Sequence, residues 1–132
     1  MLQRAESPST LAGVEASRSF FAPCFAAAPR QERLWVAHVD GEAQCIHLAS
    51  YDGNPEANDP PVRAIIGDAI RLDSAGIVLA HNHVDGVSRP SPSDQAATRA
   101  LALAADAIDL TLLDHLVFAG SECASFRRLG LL

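Results

Sequence analysis

Apolar and polar positions alternate along the chain in blocks that predict a short series of helices and strands. Ser9 or Thr10 can cap a first helix running to about Phe21, with Leu11, Val14 and Phe20 or Phe21 on its buried side. Pro23 and Pro29 then bracket a connection or a broken second turn. Leu34 to Val39 (LWVAHV) reads as a strand, Asp40-Gly41 as a hairpin turn, and about Ala43 to Ser50 as the return strand. Residues 51–60 (YDGNPEANDP) are a loop by composition. Pro60-Pro61 opens a helix to about Ser74, with apolar positions at Val62, Ile65, Ile66, Ala69, Ile70 and Leu72, and Gly76 ends it. Gly76 to Ala80 (GIVLA) is a short apolar run with β-branched residues, the pattern of a buried strand. A turn-rich loop leads to an alanine-rich helix from Pro92 to about Ala107. Leu110 to Ala119 is a second long apolar run and a candidate central strand, and Ala124 to Arg127 is a candidate short edge strand.

The order α-β-β-α-β-α-β-(β) describes a mixed α/β or α+β layer architecture in which helices cover a small sheet. The 132 residues suit one domain with one core, spanning 1–132, with residues 1–9 as a polar lead-in and no linker, repeat or low-complexity segment. A hydrophobic content of 48% fits a globular protein and argues against disorder.

Charge and cysteine usage narrow the partners. The net charge is −6, and all ten basic residues are arginine. An acidic chain gains nothing from counterion release, the main source of non-specific DNA affinity, so direct DNA binding is disfavoured despite the local pair Arg127-Arg128. Cys24, Cys45 and Cys123 are odd in number and far apart, which fits reduced core thiols rather than a disulfide frame. No apolar run approaches the ~20 residues of a membrane helix. Arg4, Glu6, Glu15 and Arg18 break any signal-peptide pattern, so a cytoplasmic location is expected.

The chemistry concentrates in His81 to Asp94 (HNHVDGVSRPSPSD). Side chains at i and i+2 of a strand point to one side, so His81 and His83 leave the strand end together and can bind one metal ion. Asp94 returns to them at the start of the next helix. Two histidines and a carboxylate, with a fourth position for water, is the ligand count of a catalytic zinc site, where the bound water ionises at a pH of about 7. The bland reading of Ser91-Pro92-Ser93-Asp94 is a helix N-terminus: Ser91 at the N-cap, Pro92 at the first position, and Asp94 at the third. The two readings are compatible. A contiguous His-Asn-His does not make an HNH nuclease, whose motif spreads over a longer ββα unit.

A metal-activated water also needs a base. Glu32, Asp40, Glu42, Asp109 and Asp114 lie near strand ends. Asp40 and Glu42 belong to the hairpin tip, whereas Glu32 immediately precedes the first strand. The Ser91 hydroxyl can donate to an oxyanion. His115 sits inside an apolar run, where a hydrogen-bonded structural histidine is the expectation. His38 and His47 lie on the opening hairpin with no carboxylate pattern around them and read as structural or exposed.

These residues resemble a known family. His81-x-His83, seven residues, Ser91, two residues, Asp94 matches the H-x-H-x7-S-x-x-D pattern of JAMM metalloproteases, also called JAB1/MPN domains. The bacterial RadC branch is the nearer likeness, through His81-Asn82-His83-Val84-Asp85-Gly86, Pro90 to Asp94, Asp114-His115-Leu116-Val117 and Ser125-Phe126-Arg127-Arg128-Leu129-Gly130-Leu131-Leu132. The resemblance runs from about Ser7 to Leu132. It implies a three-layer, cytidine-deaminase-like α/β/α sandwich around a small mixed sheet. It implies Zn²⁺ on His81, His83 and Asp94, oxyanion support from Ser91, and the catalytic carboxylate at Glu32. Val84-Asp85 departs from the family's Pro-Ser, which alters the loop beside the metal and removes no ligand. RadC proteins also carry a helical region ahead of this domain that has no counterpart here, so a stand-alone relative or a single domain is expected.

The leading function is therefore a zinc-dependent JAMM-type hydrolase acting on a peptide or isopeptide bond of a peptide or protein substrate. The alternative is a RadC-type DNA-repair or recombination accessory that serves as a protein-interaction module without hydrolase activity. A third reading is an inactive metal-binding domain. A homodimer is compatible with the resemblance, since small JAMM domains often pair.

Overall fold

The protein is described by a computed structural model for residues 10–27, 29–52 and 61–132. The lead-in 1–9, including Ser9 as a candidate cap, and most of the 51–60 loop lie outside these residues. The element order is α1 (Val14–Ala26), β1 (Arg33–Val39), β2 (Cys45–Asp52), α2 (Val62–Leu72), β3 (Gly76–Asn82), α3 (Pro92–Asp106), β4 (Thr111–Ala119) and β5 (Glu122–Ser125). The strands form one mixed sheet in the order β2-β1-β3-β4-β5. Only β3 and β4 are parallel, and α3 supplies the crossover that a parallel pair needs.

The central strand β3 is buried on both faces, which is why it reads as a continuous apolar run. On one face Val78 and Ala80 pack with Phe21 and Phe25 of α1 and with Ala37, Val39, Leu116 and Phe118. On the other, Ile77 and Leu79 pack with Ile65 and Ala69 of α2 and Leu101 and Ala105 of α3. The result is a mixed α/β fold with helices on both faces of the sheet, as the element order implied. At Gly76 the strands come close: an added Cβ would sit 3.1 Å from the Thr111 carbonyl and 3.2 Å from Val39 Cγ2.

Several local expectations are corrected. The first helix begins at Val14 behind Gly13, and Thr10 instead bridges to Gln44. It continues through Pro23. An internal proline costs about 3 kcal/mol. Full burial of an aromatic side chain contributes about 1.5–3 kcal/mol, so Phe21 and Phe25 on either side of it, 0% and 8% exposed, offset that loss. The hairpin turn is longer than two residues. The Asp40 carboxylate accepts from the Glu42 and Gln44 amides, and Ala43 adopts φ 62°. Asp73, at φ 54°, ends α2, while Gly76 is the first residue of β3. Ile70 is exposed, so α2 buries a narrower face than its apolar content suggested.

One irregularity positions the site. Ile77 pairs with Leu112 but Val78 with Asp114, so β4 carries one extra residue there. A bulge of this kind reverses which face later residues occupy. Leu112 accordingly packs toward α2 and α3, whereas Leu116 and Phe118 pack toward α1. The same reversal turns His115 toward α3, beside His81.

Candidate metal centre

His81 is on β3, His83 is one residue beyond its end, and Asp94 is in the first turn of α3. Their ligating atoms all lie within 4.8 Å of one another, and among the described residues no other His/Cys/Asp/Glu cluster has this geometry. His81 Nε2 is 3.0 Å from His83 Nε2, and His83 Nε2 is 3.0 Å from Asp94 Oδ2. Asp94 Oδ1 is 3.5 Å from His81 Nε2. All three side chains are partly buried.

Each group has an outer partner fixed by the fold. His83 Nδ1 lies 2.7 Å from the Val87 carbonyl oxygen, which can only accept, so Nδ1 carries a proton and Nε2 is the nitrogen left to offer a lone pair inward. Ser91 is the N-cap of α3 in a full capping box: its Oγ accepts from the Asp94 amide at 3.0 Å, and Asp94 Oδ2 accepts from the Ser91 amide at 2.9 Å. Burial alone would raise the Asp94 carboxyl, but the contacts with His81 and Ser91 hold it well below the usual carboxylate range. The cap uses Ser91 Oγ as an acceptor, so its hydroxyl proton is left for another partner. Cap and ligand are thus two aspects of one arrangement.

His83 Nε2 and the Asp94 carboxylate, 3.0 Å apart, can share either a proton or a metal ion. The donor set therefore fits a cation, and its two nitrogens and one carboxylate suit a transition-metal ion.

Glu32 is exposed and immediately precedes β1. The antiparallel pairing of Leu34 with His81 brings the start of β1 to the end of β3 that carries the histidines. Asn82, between those histidines and 4% exposed, secures this junction. Its Oδ1 accepts from the Arg33 amide at 2.8 Å and its Nδ2 donates to the Gln31 carbonyl at 2.9 Å, so it grips the residues on both sides of Glu32. Sequence reading passed over Asn82. The available signal was parity: a polar residue between His81 and His83 faces the opposite side of the strand, where only a satisfied polar group is tolerated.

His115 is buried and hydrogen-bonded, as expected of it. Its Nε2 is 2.7 Å from His81 Nδ1, its Nδ1 is 2.7 Å from Thr98 Oγ1 on α3, and its ring stacks on Phe126 at 4.6 Å. Burial keeps the His115 ring uncharged, well below the usual histidine range. Asp114 is structural: it accepts from the His115 amide (2.7 Å), the Ser125 hydroxyl (2.6 Å) and the Arg127 amide (3.0 Å). Asp109 is an exposed turn residue at φ 60°. His38 is buried with its Nδ1 2.9 Å from Ser74 Oγ, while His47 is exposed. Across the sheet end, toward α1, a cleft of about 240 Å³ runs past His83 and is lined by Ala22, Phe25, Ala26 and Phe118, with Arg18 among its polar residues.

Fold and donor set together define a JAB-type α/β domain with a group able to hold a metal ion. The family model for the RadC-like JAB domain matches residues 11–131, and the chain belongs to that family. It is 31% identical over 107 residues to the UPF0758 protein YkfG of Escherichia coli (strain K12), covering 80% of this chain and 68% of that protein. It is 30% identical over 105 residues to the UPF0758 protein PSHAa2643 of Pseudoalteromonas translucida (strain TAC 125), covering 78% and 46%. A third relative, the UPF0758 protein CGSHiEE_07200 of Haemophilus influenzae (strain PittEE), is 44% identical over 64 residues, covering 48% and 29%. The chain thus spans about half the length of the Pseudoalteromonas relative and under a third of the Haemophilus one. No helix among the described residues is long and apolar enough to cross a membrane.

Proposed function

We propose that the protein is a zinc-dependent hydrolase of the JAMM type that cleaves a peptide or isopeptide bond with an activated water. The observation that carries this reading is the convergence of His81 Nε2, His83 Nε2 and the Asp94 carboxylate, with the His83 proton committed to the far side of its ring. A zinc ion held there supplies Lewis acidity, activating water and polarising a carbonyl. His81, His83 and Asp94 would hold it. Glu32 would act as general base, accepting the proton lost by the attacking water and returning it to the leaving nitrogen. The Asn82 grip on Gln31 and Arg33 supports that role by restricting the backbone on either side. Ser91 would donate its free hydroxyl proton to the oxyanion. The apolar cleft past His83 gives a substrate side chain a place to lie.

Metal analysis of the purified protein beside Asp94→Ala tests the site. Stoichiometric zinc in the wild type, lost in the variant, is the expected result. Peptide and isopeptide substrates are then screened with Glu32→Gln as the control. A wild type that takes up no zinc at neutral pH, or hydrolysis indifferent to Glu32→Gln, would overturn the proposal.

A further inference from the structure

The outer partner of His81 is another histidine, and that arrangement sets a requirement. His81 can offer Nε2 to a metal only if its proton sits on Nδ1. Nδ1 faces His115 Nε2 at 2.7 Å, and His115 Nδ1 faces Thr98 Oγ1 at 2.7 Å. Both contacts are short enough to be real hydrogen bonds, and each can run either way. In one direction His81 Nδ1–H donates to His115 Nε2, and His115 Nδ1–H donates to Thr98. This leaves His81 Nε2 bare. In the other, the Thr98 hydroxyl donates to His115, whose Nε2–H donates to His81, and the His81 proton moves to Nε2, where it blocks the metal.

We propose that His115 is a positioning residue that supports the metal-competent tautomer of His81 by accepting its Nδ1 proton, with Thr98 as the terminal acceptor of the chain. The inference rests on the metal-site reading above. His115 is suited to the task because its ring cannot swing away. Phe126 stacks on it with the planes 10° apart, and the β4 bulge turns it onto this face. A carbonyl behind His81 would impose one direction permanently. An imidazole with a hydroxyl behind it allows both, so loading the site reverses two hydrogen bonds without moving a heavy atom.

The test combines imidazole ¹⁵N NMR of the zinc-loaded wild type with zinc affinities from chelator competition for the wild type, His115→Phe and His115→Gln. The phenylalanine keeps the stack on Phe126 and removes the acceptor. The glutamine restores an acceptor toward His81 and a donor toward Thr98. Outer-shell partners of ligating histidines typically govern roughly 10–100-fold in metal affinity, and we expect a loss of that size in His115→Phe, with His115→Gln within a few-fold of wild type. In the zinc-loaded wild type His115 should be protonated on Nδ1 and bare on Nε2. The opposite tautomer there, or undiminished zinc affinity in His115→Phe, overturns the proposal. A wild type that binds no zinc overturns the metal-site reading instead, and takes this inference with it. If His115→Phe does not fold, the wild-type tautomer decides alone.

Discussion

Asn82→Ala separates the scaffold of the site from its chemistry. The Asn82 side chain is almost wholly buried and makes two hydrogen bonds to backbone, at 2.8 Å with the Arg33 amide and 2.9 Å with the Gln31 carbonyl. Alanine removes both. A neutral hydrogen bond contributes about 0.5–1.5 kcal/mol net, while a buried group left without a partner costs about 1–3 kcal/mol. Gln31 is exposed, so water can reach its carbonyl and the lower figure applies there. The Arg33 amide is only partly accessible and falls nearer the upper one. The sum is a destabilisation of about 2–4 kcal/mol, read from urea unfolding as a lower midpoint at unchanged m. Zinc affinity should stay within a few-fold of wild type, because Asn82 faces the α1 side of the strand and His81 the other. Hydrolysis, on any substrate the wild type accepts, should fall as in Glu32→Gln. Asn82→Asp should be intermediate, since it keeps the acceptor for Arg33 and loses the donor to Gln31. A destabilisation below about 0.5 kcal/mol, the size of an ordinary surface substitution, would refute the idea that Asn82 fastens the Glu32 segment. So would a loss of zinc as complete as that in Asp94→Ala.

Other outcomes follow from the same contacts. Asp94→Ala should destabilise the metal-free protein by about 0.5–1.5 kcal/mol through loss of the carboxylate half of the capping box, and zinc should no longer raise its melting temperature; calorimetry with and without zinc reads both. Asp114→Ala removes the acceptor of three hydrogen bonds, two of which tie β4 to the 125–127 segment. At about 1 kcal/mol or more for each, a loss of about 3–4 kcal/mol is expected in urea unfolding. Burial pushes the Cys123 thiol up to about 11. The thiolate form therefore grows only as pH approaches that value, so alkylation at pH 8 should run roughly a hundredfold slower than at an ordinary thiol of pKa about 8.5. Mass-spectrometric rates across pH check this.

The architecture was legible because the apolar pattern was strong where it mattered. β3 and β4 are buried on both faces and read as continuous apolar runs, and the spacing from His81 to Asp94 carried the site onto a strand end and a helix cap. What was not legible depended on contacts distant in sequence. Pro23 looked like a helix break because its local cost was visible and the burial of Phe21 and Phe25 against the sheet was not. The reversal in β4 needs the register of Ile77 and Val78 against Leu112 and Asp114, and no local signal marks an extra residue inside an apolar run. His115 accordingly could be expected in the core, but not against His81. The likeness at Asp114-His115 and Ser125-Phe126 gains a physical basis in the same way. The carboxylate takes the Ser125 hydroxyl and the imidazole stacks on Phe126, so two separated motifs are one contact.

The site is thereby held by groups that have structural work of their own. Asp94 is oriented by the cap it forms with Ser91, His83 by the carbonyl of its own loop, and His81 by a buried ring wedged between Thr98 and Phe126. None of these restraints needs an ion in place. Where ligands must be ordered by the metal, as in a zinc finger, binding energy goes into folding and the metal-free chain collapses. Here two cores on either side of the sheet are independent of the donor set, and the ligands are already within reach of one another. Metal removal should therefore leave the fold standing, and the binding energy of an ion held there would not be spent on ordering the fold. That is the division the proposed catalytic role calls for: rigid outer partners hold the three candidate ligands in place before an ion arrives.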